Sequence, residues 1–276
     1  MWRCNRCVIC IISIIYPPPI EGEGQCKDNK NDLRRVVLIT GASSGIGETC
    51  AVNLSSEYRL ILAGRNRQKL EETREKCFNK DSHLIWCCDL TTEIDNISSS
   101  LIGVLKKHNI VVSAFVHCAG ISKICPFKSV PKSYQNEIFN VNFFSAVEII
   151  QSLLKRVNQN ALENIVLISS VSSVRADKGN SIYAASKGAI NALVTTLASE
   201  LAPSVRVNAI APGTTSTPMS SEFIARNGDT LNNLIPLGIG RTEDIANMTV
   251  FLISKNARWI TGQTIFIDGG LTIIGV

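Results

Sequence analysis

The sequence lacks the features that would indicate a nucleic-acid partner. Aromatic residues make up 6% of the chain, and the lysines and arginines behind its formal net charge of +5 are spread along it. They form no basic block and are not interleaved with aromatic residues. We therefore predict no nucleic-acid partner, although the mild positive balance suits an anionic cofactor.

Cysteine is absent from the second half of the chain. All ten cysteines lie at or before Cys125, and several stand within apolar runs such as "LIWCCDL". Buried reduced thiols behave as small hydrophobic groups, so this usage is typical of a reducing compartment. We predict a cytoplasmic protein.

No membrane-spanning run is found at the start of the chain. The apolar run Val8–Tyr16 is shorter than the roughly 20 residues that a transmembrane helix needs. Arg3 and Arg6 before it resemble the start of a signal peptide, but the following "YPPPIEGEG" offers no small-x-small cleavage site. We interpret residues 1–32 as a disordered or loosely docked extension, with organelle targeting or a membrane-surface anchor as alternatives.

Three cysteines in this extension have a spacing found in metal sites. Cys4, Cys7 and Cys10 follow a C-x-x-C pattern, but a fourth ligand would have to come from Cys26 or from a partner. We predict no metal.

From residue 33 to residue 276 the sequence alternates regularly and shows no internal repeat or low-complexity linker. Short apolar runs alternate with helical stretches, which predicts an α/β domain with a doubly wound parallel sheet flanked by helices, a Rossmann fold. The predicted strands lie near 35–40, 58–64, 83–90, 110–120, 164–170, 205–213 and 263–270. The predicted helices lie near 45–57, 66–77, 93–108, 131–157, 181–202 and 241–254.

The first turn after a predicted strand is rich in glycine. In "VVLITGASSGIGE", Gly41, Gly45 and Gly47 follow a G-x-x-x-G-x-G spacing between a strand and a helix. Glycine permits the tight turn and the close approach of a pyrophosphate, and the helix N-terminus supplies free N–H groups. The hydroxyls of Ser43 and Ser44 add donors. We predict a dinucleotide site here; a glycine-rich turn without a ligand is the alternative.

The second strand indicates which dinucleotide binds. NAD sites usually carry an acidic residue after this strand, whereas a guanidinium suits the 2′-phosphate of NADP. The strand ends in "LILAGRNRQ", with no acidic residue and with Arg65 and Arg67 after Gly64. We predict NADP(H) as cofactor, with NAD(H) possible.

Two further positions follow strands three and four. Asp89, in "CCDLT", is placed to accept a hydrogen bond from the adenine amino group, although a turn or N-cap aspartate would look the same. Gly120 ends the fourth strand, where the backbone passes close to the cofactor.

The ordered motifs resemble the short-chain dehydrogenase/reductase family in its classical form, and most closely members similar to 3-oxoacyl-acyl-carrier-protein reductases. They are "TGASSGIG" (40–47), "CDL" (88–90), "CAG" (118–120), "NVN" (140–142), "ISS" (168–170), "YAASK" (183–187), "PG" (212–213) and "TGQTIFIDGG" (261–270). The resemblance covers nearly all of residues 35–270. It implies further cofactor contacts at Ile46, Leu90, Cys118, Ala119, Tyr183, Lys187, Pro212, Gly213, Thr214 and Thr217.

The resemblance also implies a catalytic tetrad of Asn142, Ser170, Tyr183 and Lys187. Tyr183 would donate the proton when a carbonyl is reduced, but a free tyrosine pKa of about 10 is too high for efficient exchange near neutral pH. Lys187, four residues on and on the same helix face, would lower that pKa. Ser170 would hydrogen-bond the substrate oxygen, and Asn142 would hold a water that links Lys187 to solvent.

Two segments depart from the family pattern or vary within it. His117 and Cys118 stand where the family usually has two asparagines, which affects packing near the cofactor. Residues 215–236 are polar and irregular in pattern, and we interpret them as a mobile substrate lid.

The predicted function is hydride transfer between NADP(H) and a small-molecule carbonyl or secondary alcohol. The alternatives are an NAD-dependent alcohol or steroid dehydrogenase of the same family, and a catalytically silent nucleotide-binding partner protein. The resemblance implies a homodimer or homotetramer, formed through the helices around 131–157 and 181–202.

Overall fold

The computed structural model describes residues 35–175 and 177–273. The interpretation of residues 1–32 as an extension, and the prediction that its cysteines bind no metal, concern residues outside these ranges. Among the described residues, no helix is both long enough and apolar enough to cross a membrane.

Seven parallel strands form one sheet, in the order β3-β2-β1-β4-β5-β6-β7. This confirms the predicted doubly wound α/β fold. The strands are β1 (Val36–Thr40), β2 (Arg59–Gly64), β3 (Leu84–Cys87), β4 (Val112–His117), β5 (Asn164–Ile168), β6 (Arg206–Pro212) and β7 (Thr264–Ile267).

Helices connect the strands and cover both faces of the sheet. They are α1 (Gly45–Leu54), α2 (Arg67–Lys76), α3 (Ile97–His108), α4 (Lys132–Phe139), α5 (Ser145–Leu153), α6 (Ser181–Leu201), α7 (Ser221–Leu234) and α8 (Thr242–Ile253). A π-helical turn, Asn140–Phe144, joins α4 to α5.

The apolar strands separate two cores. On one face, Leu38 and Phe115 pack with side chains such as Leu101 of α3 and Ile190 of α6. On the other face, Val37 and Ile39 pack with side chains of α1, α2 and α8. Because adjacent residues of a strand point to opposite faces, a strand covered on both faces must be apolar throughout, as β1 is.

The strand order of the sheet reverses between β1 and β4, which are neighbours in the sheet. Strands β2 and β3 extend the sheet on one side of β1, and β4 to β7 extend it on the other. A crevice therefore opens beyond the carboxyl ends of β1 and β4, which is where ligands bind in such sheets.

The segment that we interpreted as irregular contains a helix. Helix α7 fills 14 of its residues, and Ile224, Leu231 and the following Ile235 pack with Val171 and Leu271. The apolar residues are spaced at 224, 231 and 235, so one stripe of an otherwise polar helix is buried. The polar composition alone concealed this periodicity.

Candidate active site

The glycine turn lies in the crevice between β1 and β4. Gly41 has a φ of +67°, and a Cβ there would lie 2.7 Å from the Ala119 backbone nitrogen. A Cβ on Gly47 would overlap the Gly41 carbonyl oxygen. Only glycine fits these two positions, and the turn leads directly into the N-terminus of α1. The first N–H groups of a helix have no intrahelical partner, so this geometry fits a bound pyrophosphate.

A cavity of about 520 Å³ lies at the ends of β2 and β3. Its lining includes Arg65, Arg67, Asp89 and Glu93. Arg65 forms no ion pair with any described residue, while Arg67 lies 3.7 Å from Glu71. Of the two arginines, Arg65 is therefore the better placed to bind a phosphate.

Two other predicted residues border this region. One carboxylate oxygen of Asp89 accepts a hydrogen bond from the Thr91 backbone N–H at 2.9 Å, so Asp89 does act as a turn residue. Asp89 also lines the cavity at the ends of β2 and β3. The Ser43 hydroxyl lies about 3.6 Å from where a Cβ on Gly64 would be, which places Ser43 between the glycine turn and the end of β2.

The segment after β6 passes over the glycine turn. Thr217 lies against Gly45, with 3.4 Å between its Cβ and the position of a Gly45 Cβ. Gly213 packs against the Asp268 backbone so closely that a Cβ would lie 2.7 Å from the Asp268 Cα. Thr214 accepts a backbone hydrogen bond from Gly240. Thr217 is thus beside the proposed pyrophosphate, while Thr214 is held in the turn that follows β6.

The π-helical turn positions Asn142 beneath the end of β4. The Asn142 side chain is fully buried and clamps the backbone of Ile121, accepting from its N–H at 2.8 Å and donating to its carbonyl at 3.1 Å. Its amide also donates to the Ser186 hydroxyl at 3.0 Å. A π-turn inserts one extra residue into the helix, which redirects the side chains within it.

Two of the predicted residues, Asn142 and Lys187, converge on Gly120, and Tyr183 lies next to Lys187. A Cβ on Gly120 would lie 3.5 Å from the Asn142 Oδ1 and 3.5 Å from the Lys187 Nζ. Lys187 is buried, donates to the Ile168 carbonyl at 2.7 Å, and has its Nζ 5.8 Å from the centroid of the Tyr183 ring. Helix α6 carries the Lys187 ammonium and the Tyr183 phenol, and the π-turn carries the Asn142 amide. The ammonium lies close to both other groups.

The electrostatics differ from the sequence expectation in one respect. Burial raises the pKa of Tyr183, and hydrogen bonding with the Ser170 hydroxyl acts in the opposite direction. Burial also lowers the pKa of Lys187 to about 8. Desolvation of the phenol outweighs the hydrogen bond with Ser170, so the pKa of Tyr183 is raised where we expected it to be lowered.

His117 occupies the core between the glycine turn and the π-turn. Its side chain is fully buried, and its Nδ1 lies 2.9 Å from the Thr40 hydroxyl, which also accepts from the Ala119 backbone N–H at 3.3 Å. Its Nε2 has no hydrogen-bond partner among the described residues. Burial, with the nearby Lys187, lowers the pKa of His117 to about 3. His117 is therefore a neutral core residue.

Sequence reasoning missed the polar groups that hold the predicted residues in place. Ser186 bonds Asn142 and donates to the Tyr183 carbonyl at 2.7 Å. Asn191, one helical turn beyond Lys187, accepts from the Ser169 hydroxyl at 2.6 Å. Both residues lie on the buried side of α6, and their i+3 and i+4 spacing from Tyr183 and Lys187 was the signal that could have identified them.

The fold and this arrangement define a dinucleotide-binding oxidoreductase. A family model described as Enoyl-(Acyl carrier protein) reductase matches residues 41–272. The chain belongs to the short-chain dehydrogenase/reductase family and is similar to its 3-oxoacyl-acyl-carrier-protein reductase members.

Relatives named for different activities match over most of the chain. The 3-oxoacyl-acyl-carrier-protein reductase FabG of Thermotoga maritima is 32% identical, covering 87% of this chain and 98% of its own. Glucose 1-dehydrogenase of Gluconobacter oxydans is 31% identical, covering 87% and 92%. The solved structure of 4-hydroxyisoleucine dehydrogenase complexed with NADH superposes with a TM-score of 0.80 at 26% identity, covering 87% and 100%.

Proposed function

We propose that this protein transfers a hydride between NADP(H) and a carbonyl or secondary alcohol. The observation that carries the proposal is that Lys187 and Asn142 meet at Gly120, with the Tyr183 ring 5.8 Å from the Lys187 Nζ, beside a glycine turn in which a Cβ would clash. A phenol and a buried ammonium at the mouth of a dinucleotide crevice suit proton transfer to an oxygen that becomes negative.

The residues of this chain divide the proton and charge chemistry among them. A bound nicotinamide would supply or accept the hydride. Tyr183 donates the proton to the carbonyl oxygen during reduction, and the Ser170 hydroxyl stabilises the developing negative charge. Lys187 favours the resulting phenolate, and Asn142 holds the Ile121 backbone in place.

The preference for NADP rests on Arg65. This arginine lines the cavity at the end of β2 and forms no ion pair with any described residue, so its guanidinium is free to bind a 2′-phosphate. No acidic residue stands at positions 64–67, where a 2′-hydroxyl would need one. NAD(H) is the alternative cofactor, because the related 4-hydroxyisoleucine dehydrogenase was solved in complex with NADH.

Replacing the phenol tests the mechanism. We expect Tyr183→Phe to reduce ketone turnover at least 100-fold, within the typical contribution of general acid catalysis, while NADPH binding is retained. Tyr58→Phe, at the start of β2 and away from the crevice, is the control and should keep its turnover. Near-normal turnover in Tyr183→Phe would exclude this phenol as the proton donor, whereas an inactive wild type with intact NADPH binding would favour the silent nucleotide-binding protein.

Replacing Arg65 tests the cofactor preference. Arg65→Ala should raise the Kd for NADPH by about tenfold or more, the loss expected of a charge-assisted hydrogen bond, and leave the Kd for NADH nearly unchanged. The exposed Arg258, which lies outside the cavity, provides the matched control Arg258→Ala. Equal losses for the two dinucleotides would contradict a contact with the 2′-phosphate.

The proposal also covers the domain bounds, the oligomeric state and the cellular compartment. We propose a catalytic domain of residues 33–276 that acts as a homodimer or homotetramer in a reducing compartment. Phe144 and Leu154, exposed on and beside the α4–α5 helix pair, support self-association there. The six described cysteines are all free, which supports a reducing location. Gel filtration with light scattering would test the assembly.

A further inference from the structure

Exposed apolar side chains lie on the segments that follow the strands of the candidate active site. Three segments follow β4, β5 and β6, and since the strands are parallel, all three emerge at the carboxyl edge of the sheet. Large apolar side chains are normally withdrawn from water, so a group of them beside a reactive centre indicates a binding surface. They are Ile124 (62% exposed), Phe127 (74%), Val174 (64%), Met219 (55%) and Phe223 (43%), and we call them the entrance residues.

The segments after β4 and β5 are joined next to the catalytic residues. The Cys125 N–H donates to the Gly179 carbonyl at 2.9 Å, and a Cβ on Gly179 would lie 2.7 Å from the Ile124 Cγ2. Gly179 precedes Tyr183 by four residues, and Val174 follows Ser170 by four. Val174 is therefore close in sequence to Ser170, and Ile124 contacts the segment that leads to Tyr183.

The segment after β6 is anchored at two points. Thr217 rests on the glycine turn at Gly45, and Ile224 packs with the cluster that contains Val171. Met219 lies between these two anchors, and Phe223 directly precedes the second. The chain therefore crosses from the proposed pyrophosphate to the turn of Ser170, and it carries exposed apolar side chains along that path.

The segments after β4 and β5 offer few carboxylates that would recognise a sugar or another polyhydroxylated molecule. Residues 121–130 and 171–180 contain one carboxylate, Asp177, and the Ser172 hydroxyl already donates to it at 3.3 Å. Their other charged side chains are cationic. Binding several hydroxyls requires a set of precisely placed acceptors, because each buried hydroxyl left without a partner reduces affinity.

We propose that the substrate is a ketone or secondary alcohol with an extended apolar body, which the entrance residues cover while its oxygen lies between Ser170 and Tyr183. This inference rests on the proposed function, since it describes the substrate of the same reaction. The reaction itself is unchanged: the carbonyl carbon gains a hydride from the nicotinamide, and its oxygen gains a proton from Tyr183.

A homologous series of methyl ketones, from 2-butanone to 2-octanone, separates the apolar contribution from the chemistry. The reacting group is constant, and each member adds only methylenes. Burial of one methylene corresponds to at most about a fourfold gain in kcat/KM, and partial burial to about twofold. We expect kcat/KM for the series to rise with length, and to exceed that for dihydroxyacetone.

Variants show whether the entrance residues cause the rise of kcat/KM with ketone chain length. Val174→Ser and Phe223→Ser should each flatten the rise of kcat/KM with chain length. Phe78→Ser, which alters another exposed phenylalanine (68%) just after α2, should leave the rise as in the wild type. A flat series in the wild type, or better turnover of dihydroxyacetone, would overturn the apolar substrate while leaving the proposed reaction intact. A wild type that reduces no member with NADPH or NADH would refute the proposed function instead.

Discussion

The neutral core histidine makes a quantitative prediction about stability and pH. His117 has a pKa of about 3 in the folded protein, against about 6.5 in an unfolded chain. Below pH 6.5 the unfolded chain binds a proton that the folded protein does not, so the free energy of unfolding falls as the pH falls. The difference of about 3.5 pKa units, at 1.36 kcal/mol each, sets a ceiling of about 5 kcal/mol.

A practical measurement covers the upper part of this range. Between pH 7.5 and pH 5.0, linkage gives a loss of about 2 kcal/mol from His117 alone. In His117→Asn the pH-dependent loss from residue 117 disappears, because an amide does not titrate. This holds whatever the variant's own stability at pH 7.5. The free energy of unfolding, measured by urea denaturation at both pH values, should therefore drop about 2 kcal/mol less in the variant than in the wild type.

Two other histidines define the control. His83 is also buried and has a lowered pKa, mainly through burial, and every variant retains it. His108 is exposed at the end of α3, so His108→Asn should show the full drop of the wild type. If His117→Asn lost as much stability on acidification as His108→Asn does, His117 would not be held neutral, and our account of its burial beside Thr40 and Lys187 would be wrong.

Four further substitutions test the local geometry. Gly41→Ala should destabilise the protein by about 1–3 kcal/mol and weaken dinucleotide binding, because Gly41 has a positive φ and its Cβ would lie 2.7 Å from the Ala119 nitrogen. Gly103→Ala, in open space on α3, should instead stabilise the protein by about 0.5–1 kcal/mol. Equal effects of the two substitutions in thermal unfolding would refute this. Asn158→Ala removes both side-chain bonds to the Val112 backbone, at 2.6 and 3.0 Å, and should cost about 2–4 kcal/mol in urea unfolding; a loss under 1 kcal/mol would contradict it. Ser186→Ala should lower kcat several-fold through Asn142 with little change in the Kd for NADPH; loss of NADPH binding instead would indicate a structural role alone.

The regular elements could be predicted because their signals are local. The apolar runs bounded by polar helices give the strands to within a few residues, as at Val36–Thr40, predicted as 35–40. Boundaries shifted where apolar residues continue past the last ladder bond, so β4 ends at His117 although its apolar pattern reaches further. Helix α7 was missed because its buried stripe has only a few residues, and its partner Val171 lies some 50 residues away in sequence.

The candidate site was predictable as a set of residue types, whereas its geometry was not. The order of the glycine turn, Ser170, Tyr183 and Lys187 along the chain indicated the chemistry. The π-turn at Asn140–Phe144, the Asn142 clamp on Ile121 and the contact of Ser186 with Asn142 depend on elements that meet only in the folded chain.

The sequence by itself determined the class of fold and the reactive groups. Periodicity and glycine spacing are properties of neighbouring residues, so β1, the glycine turn and the Tyr183–Lys187 pair could be identified without coordinates. Only the tertiary structure decided the environment of those groups. Desolvation raises the pKa of Tyr183, lowers that of Lys187 and keeps His117 neutral, and desolvation depends on everything packed around a side chain.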